Sequence, residues 1–441
     1  MGDRGGGDGV SDALRTVLDR HLAGEPVGIT SVCSAHPLVL RAAAEEAAVN
    51  GSVLLVEATS NQVDQFGGYT GMRPSGFRDL VHSITERVGL PRAQVVLGGD
   101  HLGPNTWRAL PAEEAMKRSE DLVAAYVQAG YTKIHLDCTY PCATDSVPLT
   151  DEIVAERAAR LAVVAEAAAV RAFGRSDLRY VIGTEVPVPG GAHEAIDRLT
   201  PTSPDAARAT LDAHEKAFAS VGAREAWDRV GALVVQPGVE FDAVQVVDYD
   251  RTRTTELSRV LEGRDLVFEA HSTDYQTVER LSALVEDHWA VLKVGPGLTF
   301  ALREVLFNLA EIEAELLPAD ERSALPDVID AVMVDEPRWW KGYYEGDEND
   351  QRIARRYSYS DRMRYYWPTP RVTDAVERLM RNLRSRPVPL PLLSAHLPKQ
   401  YERVRDGLLT TDPEALALDH VRDVCRTYDI ACNPKTQRNQ S

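Results

Sequence analysis

The run Val291-Leu292-Lys293-Val294, then Gly295-Pro296-Gly297, then a helical stretch over 298–316, is the last of eight repeats of one pattern. Reading backward from it, short apolar runs recur as Leu266-Val267-Phe268, Ala232-Leu233-Val234-Val235, Tyr180-Val181-Ile182, Lys133-Ile134-His135-Leu136, Val95-Val96-Leu97, Ser52-Val53-Leu54-Leu55-Val56 and Gly28-Ile29-Thr30-Ser31-Val32. Segments rich in Ala, Leu, Glu and Arg over 37–49, 76–88, 112–129, 151–173 and 204–221 follow the five runs nearest the N-terminus. Strands this short and this continuously apolar belong to a parallel sheet buried on both faces. Eight strand-then-helix units within about 290 residues predict an α/β fold, a (β/α)8 TIM barrel. The rival is an open doubly wound sheet, which normally carries a Gly-rich phosphate turn after its first strand. Here that loop is Cys33-Ser34-Ala35-His36-Pro37, without G-x-G-x-x-G.

Outward from the barrel, residues 1–26 read as an N-terminal extension and helix, 27–317 as the barrel, and 318–441 as a helical C-terminal appendage. The appendage carries Trp339-Trp340, Tyr343-Tyr344 and Tyr365-Tyr366-Trp367, and a Pro-rich break at Pro387-Val388-Pro389-Leu390-Pro391 divides it. The chain has 441 residues, 44% hydrophobic and 26% charged, a composition that folds. Its formal charge of −18 argues against nucleic acid and against a polybasic membrane surface. No apolar run approaches the ~18 residues of a membrane span. The acidic, Gly-rich start lacks the basic and then apolar regions of a secretion signal, and five cysteines do not make a disulfide framework. A cytoplasmic location is the expectation.

In such a barrel the residues that end the strands line the catalytic face. Here they are polar and titratable: His36 after strand one, Glu57 on two, Asp100-His101 on three, Asp137 on four, Glu185 on five, Gln236 on six, Glu269 and His271 on seven, Lys293 and Gly295 on eight. Any one carboxylate could simply cap the next helix, but ionised groups at nearly every strand end need partners or a metal. His101 and His271, on different strands beside acids, are metal-ligand candidates, with Glu185 and Asp137 as oxygen donors. His135 reads as structural, facing the helices. Asn61 and Gln62, in the polar loop Thr59-Ser60-Asn61-Gln62 that runs on to Gly71, suit a polyhydroxylated ligand. Gly295-Pro296-Gly297, with Ser272-Thr273 nearby, lies where barrels commonly hold phosphate.

These residues sit in long motifs that resemble the Z-type subunits of class II tagatose bisphosphate aldolase. The motifs are Gly28-Ile29-Thr30-Ser31-Val32-Cys33-Ser34-Ala35-His36-Pro37, Glu57-Ala58-Thr59-Ser60-Asn61-Gln62 and Gly98-Gly99-Asp100-His101-Leu102-Gly103-Pro104-Asn105. The likeness continues through Gly183-Thr184-Glu185-Val186-Pro187, Glu269-Ala270-His271-Ser272-Thr273-Asp274, Asp361-Arg362-Met363-Arg364-Tyr365 and Leu397-Pro398-Lys399-Gln400. The family's name records a non-catalytic role beside a separate aldolase subunit, and some members are 4-epimerases of tagatose 6-phosphate and fructose 6-phosphate. Some also carry the label tagatose 6-phosphate kinase, yet no Walker-type or kinase nucleotide motif is present here.

More distantly, the catalytic class II aldolases place an Asp-His pair after strand three, as acid/base and zinc ligand, and a further zinc-binding His that His271 matches. At strand six those enzymes have His-Gly, whereas this chain reads Gln236-Pro237-Gly238. The resemblance thus implies a divalent metal, zinc first, with manganese, cobalt or nickel as alternatives. Its ligands would be His101, His271 and Glu185, with Asp100, Asp137 and Glu185 as acid/base groups.

Arg362 and Lys399, in the two appendage motifs, read as phosphate contacts beside Ser272, Gly295 and Lys293, although an aromatic helix end packed on the barrel explains the first equally. The sequence therefore supports two functions. One is a metal-dependent 4-epimerase working by retro-aldol chemistry. The other is an accessory subunit that stabilises a partner aldolase. A sugar phosphate is the expected ligand, and an oligomer is allowed.

Overall fold

The computed structural model describes residues 10–433 except 185, 187–195 and 197–198. Eight parallel strands close into a barrel: β1 (Ile29–Val32), β2 (Leu54–Thr59), β3 (Val95–Leu102), β4 (Lys133–Leu136), β5 (Arg179–Ile182), β6 (Val230–Val234), β7 (Val267–Ala270) and β8 (Trp289–Val294). Each strand pairs with its neighbours in sequence, and β1 closes on β8 with Ser31 beside Lys293. This is the barrel expected from the repeats, and the open sheet is excluded.

Local signals set the helices around it. His36, Thr150, Ser203 and Thr277 cap Pro37–Asn50, Asp151–Phe173, Pro204–Ser220 and Val278–Glu286, each side chain accepting a backbone N–H of the first turn. Gly51 and Gly174 end two helices in the left-handed conformation. After β6 a short ribbon, Glu240–Phe241 against Val246–Val247, and two 3₁₀ turns replace the helix. None of the described helices is long and apolar enough to cross a membrane.

The two ends of the barrel are finished differently. Helix Val10–Leu22 plugs the floor, where Leu14 and Leu18 pack with Ile29, Leu55, Val96, Val181, Val267 and Val291. The helices after 318 pack on the barrel. The last of them, Pro413–Cys432, lies against Pro37–Asn50, Val278–Glu286 and Pro296–Leu316 and joins the ring of outer helices. The Gly28 N–H donates to Cys432 O at 2.9 Å, and a Cβ on Gly28 would stand 2.9 Å from Ala290 O, so this seam needs glycine. The turn Arg362–Tyr365 covers part of the barrel mouth. There Tyr365 stacks on Trp339 and meets Tyr69 edge-on, with ring centroids 4.8 Å apart in both cases.

Candidate active site

Alternation along a strand builds the interior of the mouth. Lys133, His135 and Asp137 are two residues apart on β4 and its end, so they share the inward face. Glu269 and His271 do the same on β7. On β3 strict alternation would send Asp100 and His101 to opposite faces. A register shift between Gly99 and Leu102, with His101 at φ 49°, brings both into the same buried cluster. Ser272 (φ 54°), Tyr275 (φ 68°) and Asp361 (φ 41°) are also left-handed, and non-glycine residues in that state gather at functional sites. A Cβ on Gly98 would stand 2.6 Å from Glu57 Cγ, so glycine there admits the Glu57 side chain.

The lower layer is an ion network sealed from water. Lys133 Nζ lies 2.6 Å from both Glu57 Oε1 and Glu269 Oε2, and Ser31 donates to Glu57 Oε1 at 2.6 Å. Lys293 Nζ contacts Asp100 Oδ1, with Glu269 Oε1 at 3.2 Å and Glu57 Oε2 at 3.8 Å. Burial opposes charge on both lysines, yet their carboxylate partners raise the affinity of each for its proton.

Above it stand three imidazoles with ring centroids 5.1–5.2 Å apart: His101, His135 and His271. Each is held by an acid. His101 Nδ1 is 2.7 Å from Asp137 Oδ2, His135 Nδ1 is 2.8 Å from Asp100 Oδ1, and His271 Nε2 is 3.0 Å from Glu269 Oε1. A carboxylate only accepts, so His271 Nε2 carries a hydrogen, and His135 Nδ1 does so because its 2.8 Å contact with Asp100 is closer than the 3.2 Å approach of the His101 backbone N–H. The opposite nitrogens of these two rings then keep lone pairs. Burial lowers the proton affinity of His135, and burial with Lys293 lowers His271 to about 3, so both are neutral. Burial alone would raise Asp100, but His101, Lys293 and His135 outweigh it and hold the carboxylate well below its usual range. In Asp137, His101 likewise overcomes burial, and its value falls to about 2.

This donor set suits a divalent cation. Ligand atoms of Asp100, His135, Glu269 and His271 all lie within 4.8 Å of one another, and the four residues are buried; of the expected ligands His271 is in this set, and His101 is not. Four carboxyl groups (Glu57, Asp100, Asp137 and Glu269) face only two ammonium groups (Lys133 and Lys293). His135 Nε2, fully buried, has no hydrogen-bond partner among the described residues. An excess of buried negative charge and an unpartnered imidazole lone pair are what a bound M²⁺ would satisfy.

The structure sorts the residues expected to form the site. A cavity of about 70 Å³ at the mouth is lined by Asp100, His101, His271, Ser272, Lys293, Gly295, Asn61 and Gln62. Glu57 and Glu269 lie beneath it, in the ion network. Asp137 stands behind His101 and does not line the cavity, so it orients the ring. Glu185 falls outside the described residues.

Five more residues are placed differently from the expectation. His135 faces the interior, because it shares the period-two face of Lys133 and Asp137. His36 caps its helix, with Nδ1 accepting from Leu38 N–H, and lies in an adjoining chamber against Trp367. Gln236 Oε1 accepts from the N–H groups of Gly238 and Val239 and staples its own loop. Arg362 is buried under the mouth's edge, its guanidinium 3.3 Å from the Tyr343 ring centre and bonded to Trp339 O. Lys399 is exposed on Pro398–Arg405, away from the cavity. Sequence reasoning missed Lys133, which the period-two pattern could have found. It also missed Cys33, Tyr69, Asp274, Arg364 and Tyr365, which reach the cavity from loops.

The chain matches the family described as D-tagatose-1,6-bisphosphate aldolase subunit GatZ/KbaZ-like over residues 14–433. It is 48% identical to a crystal structure from Sinorhizobium meliloti 1021 named as a probable tagatose 6 phosphate kinase, covering 92% of this chain and 100% of that one, with a TM-score of 0.85. Much weaker likenesses reach the YdjI aldolase of Escherichia coli K12 (10% identity, 86% and 96% covered, TM-score 0.41). A fructose-bisphosphate aldolase of Campylobacter jejuni stands similarly (14%, 85% and 92%, 0.42). The chain belongs to the D-tagatose-1,6-bisphosphate aldolase subunit GatZ/KbaZ-like family, a family of sugar-phosphate metabolism.

Proposed function

We propose that the chain works in the cytoplasm as a metal-dependent 4-epimerase, interconverting D-tagatose 6-phosphate and D-fructose 6-phosphate by retro-aldol cleavage and re-addition. The observation that carries this is the buried Asp100–His135–Glu269–His271 cluster at the barrel mouth, with a His135 Nε2 that has no partner among the described residues. A subunit that only supports a partner has no need of it.

The chemistry narrows the route. C4 of the ketose is β to the C2 carbonyl, so its hydrogen is not acidic. Transient oxidation would call for a dinucleotide site, and the first βα loop has no such fingerprint. Cleaving C3–C4, presenting the other face of the aldehyde and re-forming the bond inverts C4 without either. His135, His271 and Glu269, with Asp100 beside them, would hold the ion, zinc first, or manganese, cobalt or nickel. When bound, it supplies Lewis acidity toward the C2 oxygen and C3 hydroxyl. Asp100 carries the C4 hydroxyl proton: it lines the cavity, and Lys293 and His135 take its Oδ1. Asp137 fixes the His101 tautomer and leaves Nε2, 3.6 Å from Asp100 Oδ2, to relay that proton.

Purified protein with tagatose 6-phosphate and each divalent metal, in D₂O, tests the reading by NMR. Fructose 6-phosphate should form without deuterium at C4. Deuterium at C4 would rule out the retro-aldol route.

The family description favours a second reading, an accessory subunit for a class II aldolase catalytic chain. It predicts no turnover with any metal, and a rise in the activity or half-life of an added catalytic subunit.

A further inference from the structure

Barrels commonly bind phosphate on backbone N–H groups after the last strand. In this chain that position is already filled. The N–H groups of Gly295 and Gly297 donate to Asp274 Oδ1 at 2.9 and 2.7 Å, and a Cβ on Gly297 would stand 3.1 Å from that oxygen. An internal carboxylate thus sits where the anion was expected, and a phosphate dianion needs another partner.

Two cations line the mouth cavity, Lys293 and Arg364. Lys293 is committed to Asp100 and Glu269. Arg364 has no carboxylate within ion-pair distance among the described residues, and its surroundings fix it in place. Nη1 donates to the carbonyl oxygens of Ser360 and Asp361, Nη2 donates to Tyr365 Oη, and Cζ lies 4.5 Å from the centre of the Tyr365 ring. Of five guanidinium N–H donors, three are used. Two remain, Nε–H among them, enough for a two-point contact with phosphate. Its nearest acid in sequence, Asp361, is turned to Thr299 Oγ1.

Position adds to this. The mouth cavity shares Cys33, Gln62, Tyr69, Gly295 and Arg364 with a more apolar chamber of about 420 Å³. Arg364 therefore stands where a six-carbon chain too long for the first space would pass from one to the other.

We infer that Arg364 is the anchor for the terminal phosphate of the sugar, in place of Arg362, Lys399 and the Gly295 amide. This rests on the sugar-phosphate reading above and names the group that selects phosphorylated over free sugar. During retro-aldol turnover the same contact would keep the cleaved aldehyde fragment bound while it turns over.

Calorimetric titration of the zinc-loaded protein with D-fructose 6-phosphate, D-fructose and inorganic phosphate tests it without relying on turnover. Arg364→Met should weaken fructose 6-phosphate and inorganic phosphate about 10- to 100-fold and leave fructose unchanged. Arg364→Lys, which keeps the charge and loses the fork, should fall between. Melting temperatures report whether each variant folds, and the lysine variant remains informative should the methionine one unfold. Equal affinity of the wild type and both variants for fructose 6-phosphate would overturn the inference, as would a wild type that binds no phosphate compound. Arg364-dependent binding in a protein that never epimerises would overturn the epimerase reading alone.

Discussion

The floor and the mouth of this barrel are made from the same eight strands, yet they obey opposite rules. At the floor Ile29, Leu55, Val96, Val181, Val267 and Val291 meet Leu14 and Leu18 of the plugging helix. Two residues further along β1 and β2, Ser31 and Glu57 replace Ile29 and Leu55, and Lys133, Glu269 and Lys293 join them. The floor gains its stability from apolar burial. The mouth holds ionised groups away from water, where each survives only through its partners. Substitutions at the two ends should therefore separate activity from stability.

The largest effect is expected at Asp100. Asp100→Asn keeps the shape but cannot take a proton, so kcat should fall ~10²–10⁴-fold, while His135, His271 and Glu269 remain to hold the metal. Undiminished turnover would move the base to another group. One layer down, Lys133→Met removes the cation 2.6 Å from both Glu57 and Glu269 and leaves them only Lys293, at 3.8 and 3.2 Å. Removing one side of a buried ion pair destabilises by about 3–5 kcal/mol. Chemical denaturation should show this, and an unchanged midpoint would mean that the network is not ionised. At the floor, Leu14→Ala should lower stability by about 2–5 kcal/mol through the cavity it leaves. Below its melting range the variant should turn over normally, and a loss of kcat there would break the division between the two ends.

How much of this was readable beforehand follows from the same contrast. The barrel was legible because eight apolar runs and their helices repeat, and periodicity is local information. Asp100, His101, His271, Ser272 and Lys293 were legible as cavity groups because they end strands, and the topology places strand ends together. His135 was misread although its neighbours two residues away, Lys133 and Asp137, were polar too; a strand with three such residues on one face must turn that face inward. Arg362 and Arg364 could not be told apart. They are two residues apart in a turn, and only the left-handed Asp361 and the ring of Tyr365 decide which guanidinium reaches the cavity. Loop conformations of that kind depend on distant contacts that no spacing records. The same holds for Asp274, whose hold on the Gly295 and Gly297 amides makes an apparent phosphate site a closed one.

The smallest effect sharpens the contrast at the rim of the mouth. Glu240 is buried there in the ribbon after β6, its Oε1 accepting from Phe241 N–H at 3.0 Å. Burial, with Asp274 and Asp242 nearby, pushes its carboxyl up to about 8 against the opposing help of Phe241 N–H and Ser272. The folded state therefore prefers the protonated acid, whereas the unfolded chain releases that proton near 4.5. A group raised in this way contributes its stability fully below the unfolded value and loses it as pH climbs through the folded one. The melting temperature of the wild type should thus carry a decline between pH 5 and pH 8 that Glu240→Gln lacks, since the amide keeps the acceptor for Phe241 N–H and never ionises. The two melting curves should agree best near pH 4 to 5 and diverge as the pH rises, with the variant the more stable at pH 8. Parallel curves across that range would show that Glu240 is solvated or paired in solution, and that the rim follows the rule of the mouth's inner layers.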